Sequence, residues 1–422
     1  MKSKNCARQP LAKLALCLFL GAISVFSAAE EGDEATQNTI NSVTDIFTQG
    51  EVNLKLRLRY EDVDQDSPID KNAGAITLKS TLNFKTAAYQ GLSAFVEVDN
   101  VTALGGENYN STINGKTSKS VIADPDGTEV NQAWLNYQWN KTSIKYGRQR
   151  INFDNQRFVG GVAFRQNEQT YDAFSISDTS LANTDLFYAR VYNVNRIFGE
   201  DSTAGDHDSS TDLFNVKYAG LPFAAISAYA YLIENDDVKR FSTDTFGIRL
   251  SGSRDVNKLK MGYTLEVARQ EDANGNPVSY DADYLLLEGS VKFPEVKITL
   301  GYELLSSDDG RAAFITPLAT LHKFQGWTDQ FLVTPNQGIA DIYLSAAGSI
   351  RGVKLMAVYH DFSADENNTA GADDLGDEFG FIIDKKWEHY GLSFKYANYQ
   401  AGDSSFSKSD TQKFWVTATS TF

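Results

Sequence analysis

Cysteine is nearly absent from this chain. Only Cys6 and Cys17 occur in 422 residues, and both lie within the first 29. That stretch reads as a secretory signal: Lys2, Lys4, Arg8 and Lys13 precede an apolar run from Leu14 to Phe26, and Ser27-Ala28-Ala29 supplies the small residues for cleavage near Ala29. Leu16 stands before Cys17 where lipidation wants a small residue, so an acylated cysteine is not expected. The exported chain then has no thiol, which excludes disulfides and thiolate metal sites, and no metal or cofactor is expected. Long apolar runs are missing too. Outside the signal no segment approaches the roughly 18 residues of a membrane helix. A chain of this kind spans a membrane only as strands, and only a closed barrel satisfies every backbone group in lipid. Histidine is scarce (His207, His322, His360 and His389), and neither a Gly-x-Ser-x-Gly elbow nor a His-Glu-x-x-His motif occurs, so an enzyme is not expected.

Positive charge is also in deficit. Removing the four signal cations takes the 39 Lys and Arg to 35 against 55 Asp and Glu, a net charge of −20 that argues against nucleic acid as a partner. The acids gather between strand-like segments, from Glu200 to Asp212 and from Asp361 to Glu378, as solvated external loops do.

What the chain has in abundance is alternation. Val52, Leu54, Leu56, Leu58 and Tyr60 fall on one face of an extended segment, and Asn53, Lys55, Arg57 and Arg59 fall on the other. About 18 such segments follow one another, from 51–62 to 412–422, the last closing on Phe422. Repeated segments of about ten residues predict a transmembrane antiparallel β-barrel, an all-β fold. Residues 1–29 are then the signal, 30–48 a periplasmic lead-in with a helical turn or two, and 49–422 the barrel. Short connections (89–91, 220–222, 293–295) suit periplasmic turns, and long ones near 101–129, 150–167, 194–211 and 306–338 suit external loops. Trp134, Tyr137 and Trp139, with Tyr390, Phe394 and Tyr396, are candidates for interfacial girdles.

By the same parity the lumen receives Lys55, Arg57, Arg59, Lys79, Lys85, Arg249, Lys258, Lys260, Lys292, Lys297, Lys354, Lys395 and Lys413, mixed with Glu97, Asp99, Glu266, Glu288 and Glu303. Such a lining lowers the barrier for an anion. The stretch Gly147–Gly161 and its continuation Arg165–Thr170 crowd guanidinium and amide groups into a loop. Arginine offers a planar fork to carboxylate and amides bond hydroxyls, so a sugar acid suits them; an internal hydrogen-bond network that folds the loop into the pore suits them equally.

Several segments resemble the alginate export family of outer-membrane barrels: Asp124-Pro125-Asp126-Gly127-Thr128-Glu129-Val130-Asn131-Gln132-Ala133, Gly147-Arg148-Gln149-Arg150, Arg157-Phe158-Val159-Gly160, Arg165-Gln166-Asn167-Glu168-Gln169-Thr170, and Thr316 through Trp327. The resemblance runs from the first strand to Phe422. It implies an 18-stranded barrel with an arginine-rich constriction that passes an anionic uronate polymer outward by diffusion. The expected substrate path is Arg148, Arg150, Arg157 and Arg165 for cargo contact. Arg57, Arg59, Arg249, Lys55 and Lys79 shape the field, and Asn155, Gln166, Asn167, His322 and Lys323 line the loops. The expected partners are the bilayer and lipopolysaccharide of a Gram-negative outer membrane, an anionic sugar polymer or oligomer, and periplasmic export proteins. A general anion- or sugar-conducting porin stays open as the alternative, and so does a plugged structural barrel.

Overall fold

A computed structural model describes residues 43–66 and 71–422; the signal, its cleavage point near Ala29 and most of the lead-in lie outside the described residues. A short helix, α1 (Val43–Thr48), leads into β1 (Glu51–Gln65), β2 (Ala73–Lys85), β3 (Leu92–Ala103), β4 (Gly127–Trp139), β5 (Thr142–Gln149) and β6 (Thr170–Asp178). There follow β7 (Thr184–Asn195), β8 (Asp206–Tyr218), β9 (Ala225–Ile233), β10 (Thr243–Val256), β11 (Leu259–Asp272), β12 (Asp281–Lys292) and β13 (Val296–Leu305). The two-residue pieces β14 (Ser307–Asp308) and β15 (Ala312–Ala313) form a hairpin inside a loop. The chain ends with β16 (Ile339–Ile350), β17 (Val353–Ser363), β18 (Asp374–Lys386), β19 (Tyr390–Gln400) and β20 (Thr411–Thr421).

Apart from the β14–β15 hairpin, these strands make one antiparallel sheet of 18, each paired with its neighbours in sequence. The sheet closes where β1 meets β20, in register from Lys55↔Thr421 to Gln65↔Thr411. Closure leaves no edge, so every ladder group within the lipid layer has a partner. Turns at one end are short. Arg351 and Gly352, at φ +51° and +74°, join β16 to β17 as a two-residue hairpin whose two left-handed residues match the twist of the strands. Both chain ends of the barrel lie at this rim, which is the periplasmic one.

Burial is inverted relative to a soluble protein. Val52, Leu54, Leu58 and Tyr60 are exposed on the outer wall, as are Met261, Tyr263, Leu265 and Val267 on β11, while Arg59, Glu61, Lys79, Glu97 and Glu266 are buried inside. The outward apolar stretches end upward in charge or amide, at Asp62 above Tyr60 and at Asp361 above Tyr359. Tyr137, Trp139 and Tyr390 are exposed on the outside as girdle residues would be. Trp134 is not among them. Its neighbours Ala133 and Leu135 face out, so it points inward, stacked on Phe95 at 5.2 Å with Lys145 over its ring. The acidic segment before residue 212 is not all loop either. β8 begins at Asp206, because His207, Ser209 and Thr211 alternate inward while the acids face out above the lipid.

The interior also holds an apolar core, which strict alternation does not announce. Phe158, Val159, Phe314 and Leu318, from the loops after β5 and β13, pack against Tyr229, Tyr231, Tyr284 and Leu305 of the wall. Leu56 lies at the middle of the outward stretch Val52–Tyr60. Leu56→Arg is expected to destabilise the barrel by about 2–4 kcal/mol, the cost of arginine at the bilayer midplane. Guanidinium unfolding in lipid vesicles measures it, and a near-zero change would mean that this face does not meet lipid.

Candidate substrate path

Eighteen strands enclose a lumen wide enough for water unless loops enter it, and here loops do; residues 104–126, between β3 and β4, pack Tyr109 and Ile122 on Val63 and Ala75 and set Asp124 beside Arg165. Residues 150–169, between β5 and β6, and residues 306–338, between β13 and β16, meet in a parallel bridge at Val159 and Leu318. The Gly160 amide donates to the Leu318 carbonyl (2.9 Å) and the Thr320 amide to the Gln156 carbonyl (3.0 Å). Gln169 and Tyr171 each donate to both the Gly160 and Leu318 carbonyls. A Cβ at Gly160 would stand 2.4 Å from the Thr320 hydroxyl, so the crossing needs glycine there.

Two buried guanidiniums fasten this crossing to the wall. Arg157 donates to Glu303 on β13 (2.7 Å), to Thr316 (3.0 Å) and to Gln325 (3.0 Å). Arg165 bonds both oxygens of Glu61 on β1 (2.9 and 3.2 Å) and reaches Asp329 (3.2 Å), with Asp124 at 3.8 Å. Burial works against the Arg165 charge, but Glu61, Asp124 and Asp329 outweigh it and raise its pKa. Gln166 is fully buried, taking a bond from Arg57 (2.8 Å) and giving one to Thr77 (2.8 Å). His322 contacts Asp329 through Nδ1 and Lys395 through Nε2, both at 2.7 Å, and stacks on Phe164. Burial first, and then the Lys395 charge, lower its pKa to about 3. The imidazole is therefore neutral at pH 7, donating to Asp329 and accepting from Lys395.

The expected path residues thus divide. Arg157, Arg165, Gln166, Asn167, His322, Arg59 and Lys79 are buried, and the bonds of Arg157, Arg165, Gln166, His322, Arg59 and Lys79 make them fasteners rather than surface offered to a solute. Arg59 donates to the Phe164 carbonyl (2.7 Å), and Lys79 pairs with Asp99 (2.7 Å). Arg148 faces the outer wall, between outward Tyr146 and inward Gln149, and pairs with Asp172 (2.8 Å). The groups that meet lumen water are Arg150, Arg57, Arg249, Lys55 and Lys323. Arg150 holds Glu168 (2.5 Å) and Glu97 (2.6 Å), and Arg249 holds Glu266. Arg57 bonds the Ala163 carbonyl (2.9 Å) and also the Arg165 carbonyl. Lys323 donates to the carbonyl of Asn155 (3.0 Å), whose side chain accepts from the Arg157 amide. Among the described residues no carboxylate lies within ion-pair distance of Arg57, Lys55 or Lys323. Lys145 and Lys217, which also face inward, were legible by parity alone but stand outside the expected set. Among the described residues no group of three histidine, cysteine or acidic side chains is arranged to hold a metal.

The fold matches solved outer-membrane channels. OccAB4 of Acinetobacter baumannii superposes with a TM-score of 0.71 at 16% identity, over 88% of this chain and 98% of that one. OccK9 (OpdG) of Pseudomonas aeruginosa gives 0.71 at 14%, over 89% and 99%. OpdK of Pseudomonas aeruginosa, solved with vanillate, gives 0.67 at 13%, over 89% and 99%. No curated protein matches the chain. A closed 18-stranded barrel with lipid-facing walls and inward loops defines an outer-membrane channel. The profile described as "Alginate export" matches residues 49–334, and the chain belongs to that family.

Removing Arg165 leaves Glu61 buried without its cation, while Asp124 keeps Arg59 at 4.0 Å. Arg165→Met is expected to cost about 3–5 kcal/mol and to expose the 150–169 loop to protease; unchanged unfolding and cleavage would refute the fastener role. His322 supplies a pH test. Between about 3 and its ordinary 6.5 the unfolded imidazole binds a proton that the folded one refuses, so stability falls as pH drops through that window. The loss between pH 7 and pH 4 should be smaller in His322→Gln; equal losses would mean that His322 is not neutral in the fold.

Proposed function

We propose that this channel passively conducts anionic sugars, with alginate-like uronate chains as the leading cargo. One observation carries the reading: in the ion pairs of Arg150 and Arg249, whose guanidiniums meet lumen water, the cation lies nearer the water than its acid. The Arg150 side chain is 33% exposed against 2% for Glu97 and 13% for Glu168, and Arg249 is 12% exposed against 2% for Glu266. With no carboxylate among the described residues within ion-pair distance of Arg57, Lys55 or Lys323, a solute in the lumen meets positive charge although the whole chain is acidic. Family membership supports a uronate as the source of the carboxylates. Periplasmic export proteins that deliver such a chain belong to the same reading.

A general anion porin is the second reading, supported by the number of lumen bases already paired with acids. Single-channel recording in a salt gradient, with and without oligoalginate, separates the two. An anion-selective current blocked by the uronate is the expected result; a current indifferent to uronate makes this a general porin, and no current makes it a plugged barrel. Arg150→Ser with Lys323→Ser should lower anion preference about five-fold, the scale of one charge contact in water. Unchanged selectivity would place the path elsewhere.

A further inference from the structure

Three lysines stand side by side at the periplasmic mouth. Lys260 on β11 lies directly opposite Lys292 on β12, which lies directly opposite Lys297 on β13. Their neighbours Met261, Val291 and Ile298 face outward, so all three lysines face the lumen, and all three are exposed. Directly opposed residues have Cβ atoms about 5 Å apart, so the three charges form a line about 10 Å long. Like charges so placed repel. Among the described residues none of the three has a carboxylate within ion-pair distance. The acid in the row, Asp255, stands opposite Lys260 at its far end, and Lys292 has a lysine on each side.

The next inward row is of a different chemistry. Ser290, Thr299 and Ser345 lie in register across β12, β13 and β16, and the row begins at Gly262 on β11; Thr299 and Ser345 are buried, and Ser290 is the hydroxyl of the row that meets the lumen. A Cβ at Gly262 would come 2.6 Å from the Ser290 hydroxyl, so the glycine leaves that hydroxyl open to the lumen. Ammonium groups in one row and a hydroxyl in the next suit a ligand with a carboxylate on one side of a ring and hydroxyls on the other. The opposite end of the pore carries acids further round the wall, with Asp365, Glu366 and Asp373 in the loop between β17 and β18 and Asp374 at the start of β18. A polyanion therefore meets attraction at the periplasmic mouth and repulsion at the external one.

We infer that Lys260, Lys292 and Lys297, with the hydroxyl of Ser290, form a capture site for sugar acids at the periplasmic mouth. It rests on the anionic-sugar reading above and adds a side: cargo binds first where the chain ends lie. The site makes the channel asymmetric toward oligouronate even though conduction itself is passive.

The test is one-sided block of single channels by oligoguluronate. A cysteine at exposed Ala370 in an external loop, biotinylated and reported by streptavidin in one chamber, fixes the orientation of each inserted barrel. Oligoguluronate is expected to block from the periplasmic side at about ten-fold lower concentration than from the external side, the scale of one to two water-screened charge contacts. In the variant carrying Lys260→Gln, Lys292→Gln and Lys297→Gln this difference should vanish while external block persists. Ser290→Ala should weaken block by oligoguluronate but not by tripolyphosphate, which has the charge without the sugar hydroxyls. Equal block from both sides in the unaltered protein, or asymmetry that survives the triple variant, overturns the site and leaves the anionic-sugar channel standing. Absence of the Ser290→Ala effect overturns the sugar part of the assignment. Absence of block from either side overturns the anionic-sugar reading itself.

Discussion

Lipid offers no hydrogen bonds, and the architecture follows from that one constraint. Each backbone amide in the wall must find a carbonyl in the next strand, and the last strand must find the first. The seam between β1 and β20 meets the requirement, joining residues as far apart as Arg59 and Thr417. Once the sheet is closed, every strand has an oily side and a wet side with period two. The alternation of Val52 through Tyr60 with Asn53 through Arg59 is therefore a direct consequence of the solvent on each side of the wall.

The wet side then raises a second problem, because a barrel this wide would be an unselective hole. The chain answers it with its own loops. Buried ion pairs are a costly way to hold a loop, since desolvation takes back much of the attraction. Arg157 and Arg165 nonetheless specify geometry: each guanidinium has directed bonds to groups on more than one element, and apolar contacts alone would allow sliding. The aromatic cluster of Phe158, Tyr229, Tyr231 and Tyr284 supplies non-directional cohesion; the arginines set where it forms. What is left over for a solute is a thin layer of cations that face water, Arg150 and Arg249 with their acids behind them.

The wall was largely legible in the sequence and the lumen only partly so. Strand number, order and facing follow from periodicity, a local signal that survives without knowledge of partners. Trp134 shows its limit: a Trp-x-x-Tyr-x-Trp run looks like one girdle, yet the first ring and the last two lie on opposite faces. The acidic stretch ahead of Asp212 shows another, because composition suggested a loop while the inward Ser209 and Thr211 continued a strand. The fate of the arginines was hidden for a different reason. Arg157 finds Glu303 146 residues away, and Arg165 finds Glu61 104 residues away. No short-range pattern announces such pairs, so a loop rich in guanidinium and amide reads equally as a binding surface or as an internal network. Here it is mostly the second.

The bridge between Val159 and Leu318 has a consequence in time as well as in space. Each loop is held by the other as well as by the wall, so neither can swing clear of the lumen alone. Widening the path requires the bridge, the Arg157 bonds and the Arg165 bonds to break together, which makes it a concerted, low-population excursion rather than a graded flexing. A pore built this way has a well-defined resting width, and its larger states are rare, discrete and slow to be reached.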